Sequence, residues 1–219
     1  MQTFIVRVWL PDRPGALGAV ASRIGAVRGD VVGIEILERG AGRAIDELAV
    51  QLPDDSLVSL LVAEISQVDG VDVEDVRPAS HGVGDPRLDA LETAALLMTK
   101  TSQADVVAQL VDHAERDFDT DWCVILDPKT AAISESTEGA PSPEWLSAFV
   151  TGARSASTPA EAGPDDVAWA ELTPSGLVLV LGRKDRPFRA RERRQLGALV
   201  AIAGRRWSDL GERDRALAG

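Results

Sequence analysis

Apolar and polar positions alternate from the third residue onward. Phe4, Val6, Val8 and Leu10 fall on one face of a period-two run, with Ile5, Arg7 and Trp9 on the other, so residues 3–10 read as a strand. Pro11-Asp-Arg-Pro-Gly15 forms a turn cluster. Leu17, Val20, Ala21, Ile24 and Val27 then follow helical spacing. Val31–Leu37 is β-branched and strand-like, Gly40-Ala-Gly42 supplies a tight connection, and Leu48, Val50 and Leu52 alternate on the strand after it. Pro53-Asp-Asp-Ser opens a second helix with Leu57, Leu60, Leu61, Ile65 and Val68 inward. Gly70 ends it, and Val71–Val76 is the last strand of the block. The order is βαββαβ. Two right-handed crossovers and one hairpin then build a four-stranded antiparallel sheet with both helices on one face. Ile5 and Trp9 lie on or near the face the helices leave bare. A domain this small buries only about 60% of its unfolded surface, so self-association or packing on the rest of the chain is expected.

Residues 79–86 collect Pro, Gly, Ser and Asp and read as a linker between a domain of residues 1–78 and one of residues 87–219. In the second block Leu88, Leu91, Ala95 and Met98 fit one helix. Thr101-Ser-Gln-Ala-Asp105 caps another, which carries Val106, Leu110, His113 and Phe118. Trp122–Leu126 is a short buried strand, and Ala131–Glu135 pairs back with it. Ser142-Pro-Glu starts a helix with Ser as N-cap and Pro in the first position. Residues 153–166 form a flexible stretch. Val167–Leu172 and Leu177–Leu181 make a hairpin, and a long helix runs from about Arg189 to Arg215.

Composition narrows the class. The 219 residues carry a net charge of −12, which repels a phosphate backbone and argues against nucleic-acid binding. No apolar run reaches the roughly 18–20 residues needed to span a bilayer, and the first ten residues lack a signal-peptide pattern, so a cytoplasmic, non-membrane protein is expected. One cysteine, Cys123, excludes an intrachain disulfide and any cysteine-based metal cluster.

Leu10-Pro-Asp-Arg-Pro-Gly-Ala-Leu17, followed by Gly29-Asp-Val-Val-Gly-Ile34 in a βαββαβ frame, resembles an ACT domain, the small ligand-binding module of amino-acid-controlled enzymes and sensors. The resemblance covers about residues 3–78 and implies an α+β, ferredoxin-like fold. It also implies a ligand site of Asp12, Arg13, Pro14, Gly15, Ala16 and Leu17 together with Asp30, Val31, Val32 and Gly33. Physical chemistry agrees with such a loop. Pro14 suits a helix's first turn, and Gly15 allows close approach to the backbone. The free N–H groups of Gly15, Ala16 and Leu17, with the helix dipole, favour a carboxylate. Asp12 or Asp30 could accept from an ammonium. Family members often carry Gly-x-Asn-Ile at the start of the second strand, where this chain has Gly29-Asp-Val-Val, one residue shorter and without Asn.

The second block is similar, more weakly, to a GAF-type domain, on Trp122–Glu135, Leu177–Leu181 and Asp185-Arg-Pro-Phe188 followed by a long helix. It lacks a cyclic-nucleotide signature. The resemblance implies a GAF-like α/β domain with no ligand assigned.

Catalytic chemistry is thin. His81 lies in the linker and His113 on a helix, too unlike for a paired metal site, and Cys123 sits in an apolar strand as a small core residue. No metal and no cofactor are expected. His113 reads as a surface or half-buried helix residue, and Arg183–Arg194 as a solvated face. The expectation is a non-catalytic regulatory or sensor protein that binds a small α-amino acid and forms a homodimer. The alternative is a regulatory subunit or dimerisation scaffold that modulates a partner enzyme or regulator without a ligand.

Overall fold

The computed structural model describes residues 1–79, 86–156 and 163–218. Most of the expected linker, His81 with it, and the middle of the 153–166 stretch lie outside the described residues. The chain divides into two compact units, one of residues 1–84 and 189–191 and one of residues 85–188 and 192–219.

In the first unit, β1 (Gln2–Pro11), α1 (Ala16–Ala26), β2 (Asp30–Gly40), β3 (Arg43–Leu52), α2 (Val58–Ile65) and β4 (Asp72–Pro78) follow in order, with a 3-10 turn at Asp55–Leu57 ahead of α2. The sheet order is β2-β3-β1-β4 and every neighbouring pair is antiparallel, the ferredoxin-like arrangement. α1 joins the strands on either side of β3 and so crosses over β3. α2 likewise crosses over β1. Phe4, Val6, Val8 and Leu10 of β1 pack with Ala44, Leu48, Val50 and Leu52 of β3 against Ala16, Val20 and Ile24 of α1 and Leu61 and Ile65 of α2. Each fully buried branched side chain contributes about 1.5–3 kcal/mol, so this layer holds the unit together. Leu60, expected inward, is exposed instead. The short α2 has a single buried stripe, Leu61 and Ile65 one turn apart, and Leu60 falls beside it.

The hairpin between β2 and β3 has Ala41 and Gly42 at its tip, both with positive φ, as a two-residue turn matching the sheet twist requires. The opposite sheet face, which α1 and α2 leave uncovered, mixes Ile5, Trp9, Ile45 and Ala49 with an ion-pair cluster. Arg7 is only 1% exposed there. Its Nε donates to Glu47 Oε1 (2.9 Å), which also accepts from Arg77 Nη2 (2.9 Å).

The second unit holds α3 (Pro86–Thr99), α4 (Gln103–Asp117), β5 (Trp122–Asp127), β6 (Ala132–Ser136), α5 (Pro143–Ser155), β7 (Val167–Leu172), β8 (Leu177–Gly182) and α6 (Ala190–Ala218). Its antiparallel sheet has the order β6-β5-β8-β7. Cys123 and Ile125 of β5 pack with α4 and α6, whereas Val124 and Leu126 pack with Leu146 and Val150 of α5 on the other face. The unit is therefore three layers deep. Ser142 Oγ accepts from Trp145 N–H and Ser102 Oγ from Asp105 N–H, the two caps the sequence implies.

The helix expected over Leu88, Leu91, Ala95 and Met98 forms as α3, and that stripe faces outward, with Leu91 68% exposed. Thr93 and Leu97 face inward, and Thr93 Oγ1 donates to Asp117 Oδ2 (2.8 Å) and contacts His113 Nδ1 (2.9 Å) on α4. One expectation changes in this unit. Arg183, placed on a solvated face by its neighbours in sequence, is buried. Its guanidinium donates to the carbonyls of Phe118 (3.0 Å), Arg186 and Pro187, and pairs with Glu192.

Candidate functional site

The loop after β1 is fixed at its base and open at its tip. Asp12 N–H donates to Gly42 O (2.9 Å), tying the loop to the hairpin beside it, and Arg13 N–H turns back onto Pro11 O (2.8 Å). Gly15 is the N-cap of α1 with φ +89°, a left-handed conformation that a side chain makes costly. A Cβ there would meet nothing within 4 Å, so strain and not crowding makes glycine necessary. No side chain caps α1 and its first turn holds no acidic residue. Ala16 N–H, expected to be free, donates to Arg13 O (3.3 Å), whereas the N–H groups of Leu17 and Gly18 have no helical carbonyl to reach, and the dipole places positive potential at this exposed end. Asp12, Arg13, Pro14 and Gly15 are exposed, Leu17 is half-buried and Ala16 is buried.

Asp30, Val31, Val32 and Gly33 are elsewhere. Asp30 is level with Gln51, which is itself level with Thr3, so this segment lies at the end of the sheet where β1 begins. The loop follows Pro11, level with Arg43 and near Gly40. Eight strand residues separate the two levels, about 27 Å at ~3.3–3.4 Å per residue. One copy of the chain therefore does not bring the two groups together. Val32 falls where the β2–β3 register shifts, and it is exposed, as are Ile34 and Ile36 on the same edge strand.

The residue that sequence reasoning passed over is Asp46. It pairs in register with Val8 of β1 and Ile36 of β2, which puts its side chain on the helix face of β3, at the end nearest α1's first turn. It is 3% exposed, and among the described residues its Oδ1 has no hydrogen-bond partner. Burial pushes its carboxyl above the ordinary range. Arg39 opposes the shift and the nearby charge of Asp12 adds to it. The signal was available: Ala44, Asp46, Leu48, Val50 and Leu52 share one parity, and one acid interrupts an apolar row.

In the second unit His113, expected on the surface or half-buried, is buried. Its Nδ1 meets Thr93 Oγ1 and also Arg116 Nη2. Burial and Arg116 hold the imidazole's pKa down, while burial raises that of Asp117. Cys123 is a buried core residue whose thiol pKa is pushed up by burial. Among the described residues no group of three or more His, Cys, Asp or Glu could hold a metal ion, and no helix is long and apolar enough to cross a membrane.

No family model and no curated protein matches the chain. Distant likenesses to solved structures exist. A formyltetrahydrofolate deformylase from Pseudomonas putida KT2440 is 17% identical with a TM-score of 0.31, over 43% of this chain and 38% of that one. An unknown protein from Galdieria sulphuraria is 18% identical with a TM-score of 0.32, over 46% and 64%. The C-terminal domain of the MgtC protein from Mycobacterium tuberculosis is 19% identical with a TM-score of 0.30, over 39% and 95%. The chain spans less than two thirds of the first two.

Proposed function

We propose that residues 1–78 form a non-catalytic, ACT-like regulatory module that binds a small α-amino acid at the Asp12–Leu17 loop, and that the protein acts as a sensor or regulator. The observation that carries this reading is the exposed, uncapped start of α1, with Gly15 held at φ +89° in a loop anchored on β3. Such an end suits a carboxylate. The second unit, a four-stranded antiparallel sheet between helices, fits a GAF-like partner domain to which no ligand is given.

Because Asp30–Gly33 and the loop sit at opposite ends of one sheet, their joint site requires a second copy. β2 is an eleven-residue edge strand with exposed Val32, Ile34 and Ile36. Antiparallel pairing of two β2 edges about a two-fold axis sets each copy's Asp30 end beside the other's loop. The same edge supports the second reading, a dimerisation scaffold that modulates a partner enzyme without a ligand. Thermal unfolding with each of the twenty amino acids at millimolar concentration separates the two. A rise in Tm with one or a few supports binding. No rise with any favours the scaffold.

A further inference from the structure

The ammonium of a bound amino acid needs an acceptor, and Asp12 and Asp30 are poor ones. Both are exposed, so water competes for them and screens their charge. Asp46 differs in burial, in place and in bonding. Its side chain projects from β3 toward the helix layer, and α1 crosses that strand. Of the residues of β3 on that face, only Ala44 lies nearer the hairpin to which the loop is tied. Asp12 opens the loop tied to that hairpin, so the two acids lie at the same end of the unit. The buried Oδ1 has no partner among the described residues. A carboxylate taken out of water without a bonded cation or donor is a cost to the fold, and a group retained at such a cost is a candidate for a bond made only with a ligand.

We infer that Asp46 is the ammonium acceptor of the amino-acid site, with α1's first N–H groups taking the carboxylate of the same molecule. The inference rests on the reading of the Asp12–Leu17 loop as an amino-acid site. It replaces two exposed aspartates with a single buried one, and it makes the α-amino group a requirement for binding. Asp46 Oδ1 is shielded from solvent, so an ammonium bonded to it is held out of water.

The test uses the full chain and calorimetry with the twenty amino acids, followed by the acid of each binder that lacks the amino group. Wild type and Asp46→Asn are compared. The expected result is a loss of roughly 10- to 100-fold in affinity for the amino acid in Asp46→Asn, the span of a lost charge-assisted bond. The deaminated acid should bind wild type and variant equally weakly. The ligand-free variant should fold and unfold at a higher temperature than wild type near neutral pH, since it carries no buried unbonded carboxylate. If Asp46→Asn binds the amino acid as tightly as wild type, the ammonium is held elsewhere and the inference falls while the loop reading stands. An Asp46→Asn chain that fails to fold also overturns it, because the carboxylate would then serve the fold. If no amino acid binds wild type, the loop reading falls and the inference with it.

Discussion

Asp46 and Glu47 are neighbours in β3 and face opposite sides of the same sheet, and their environments are opposite in kind. Glu47 meets two guanidiniums: Arg7 Nη2 lies 2.8 Å from its Oε1 and Arg77 Nη2 lies 2.9 Å from it. Burial alone would raise its pKa, but the two arginines outweigh burial and hold it below the ordinary range. Asp46 has burial without a bonded cation, and its pKa goes up. Glu47 is thus explained by the fold, and Asp46 is not. The difference teaches where to look for function: a buried charge with its partners in place is architecture, and one without them points outside the chain.

That contrast can be broken most forcefully at Glu47. Glu47→Gln leaves Arg7 buried beside an uncharged amide, and removing one partner of a buried pair costs roughly 3–5 kcal/mol. Urea denaturation should show it as a lower midpoint with little change in slope. A loss below about 1 kcal/mol would mean that the pair is solvated and that the two faces do not differ as described.

Gly15→Val tests the loop beside Asp46. Space is open around Gly15, so the cost is that of a β-branched residue at φ +89°, about 1–3 kcal/mol. Amino-acid binding should weaken with it. Stability unchanged from wild type would show that the loop does not need its left-handed glycine.

The smallest expected effect is a pH slope that sharpens the comparison. Glu47's lowered pKa contributes stability that is present above the ordinary carboxylate range and is lost as pH falls through its folded value. Asp46's raised pKa works the other way, with stability present below about pH 4 and lost as pH rises through its folded value. Asp46→Asn should therefore gain on wild type as pH rises from about 4 toward 7, and match it at lower pH. A gain that did not change with pH would remove ionisation as the reason for Asp46's cost.

Much of the first unit was legible. Alternation at Phe4–Leu10 and at Leu48–Leu52, helical spacing at Val20 and Ile24, and the Gly40-Ala-Gly42 turn place the strands and α1 because each is a local pattern that packing then obeys. Pro14-Gly15 marked the turn into α1, but Pro14, read as suited to the helix's first turn, precedes the left-handed Gly15 N-cap and α1 begins at Ala16. What local pattern does not carry is height along a sheet. Asp30 looks close to the loop in sequence, yet α1 returns the chain to the level of Thr3 before β2 begins, so the two halves of the expected site part by the length of a strand. Asp46 was hidden differently: its parity says which face it joins, but only the register with Val8 and Ile36 shows it enclosed. In the second unit the spacing of Leu88, Leu91, Ala95 and Met98 marked α3 but not its inner face, which is that of Thr93, bonded to α4, and Leu97.

The most direct measurement is an amide NMR titration of the full chain with the twenty amino acids. The account predicts that at least one of them shifts Gly15, Ala16 and Leu17 more than any other amides, with Asp46 and its register partners Val8 and Ile36 shifting as well. No shift with any amino acid, or shifts confined to the sheet of the second unit, would contradict it.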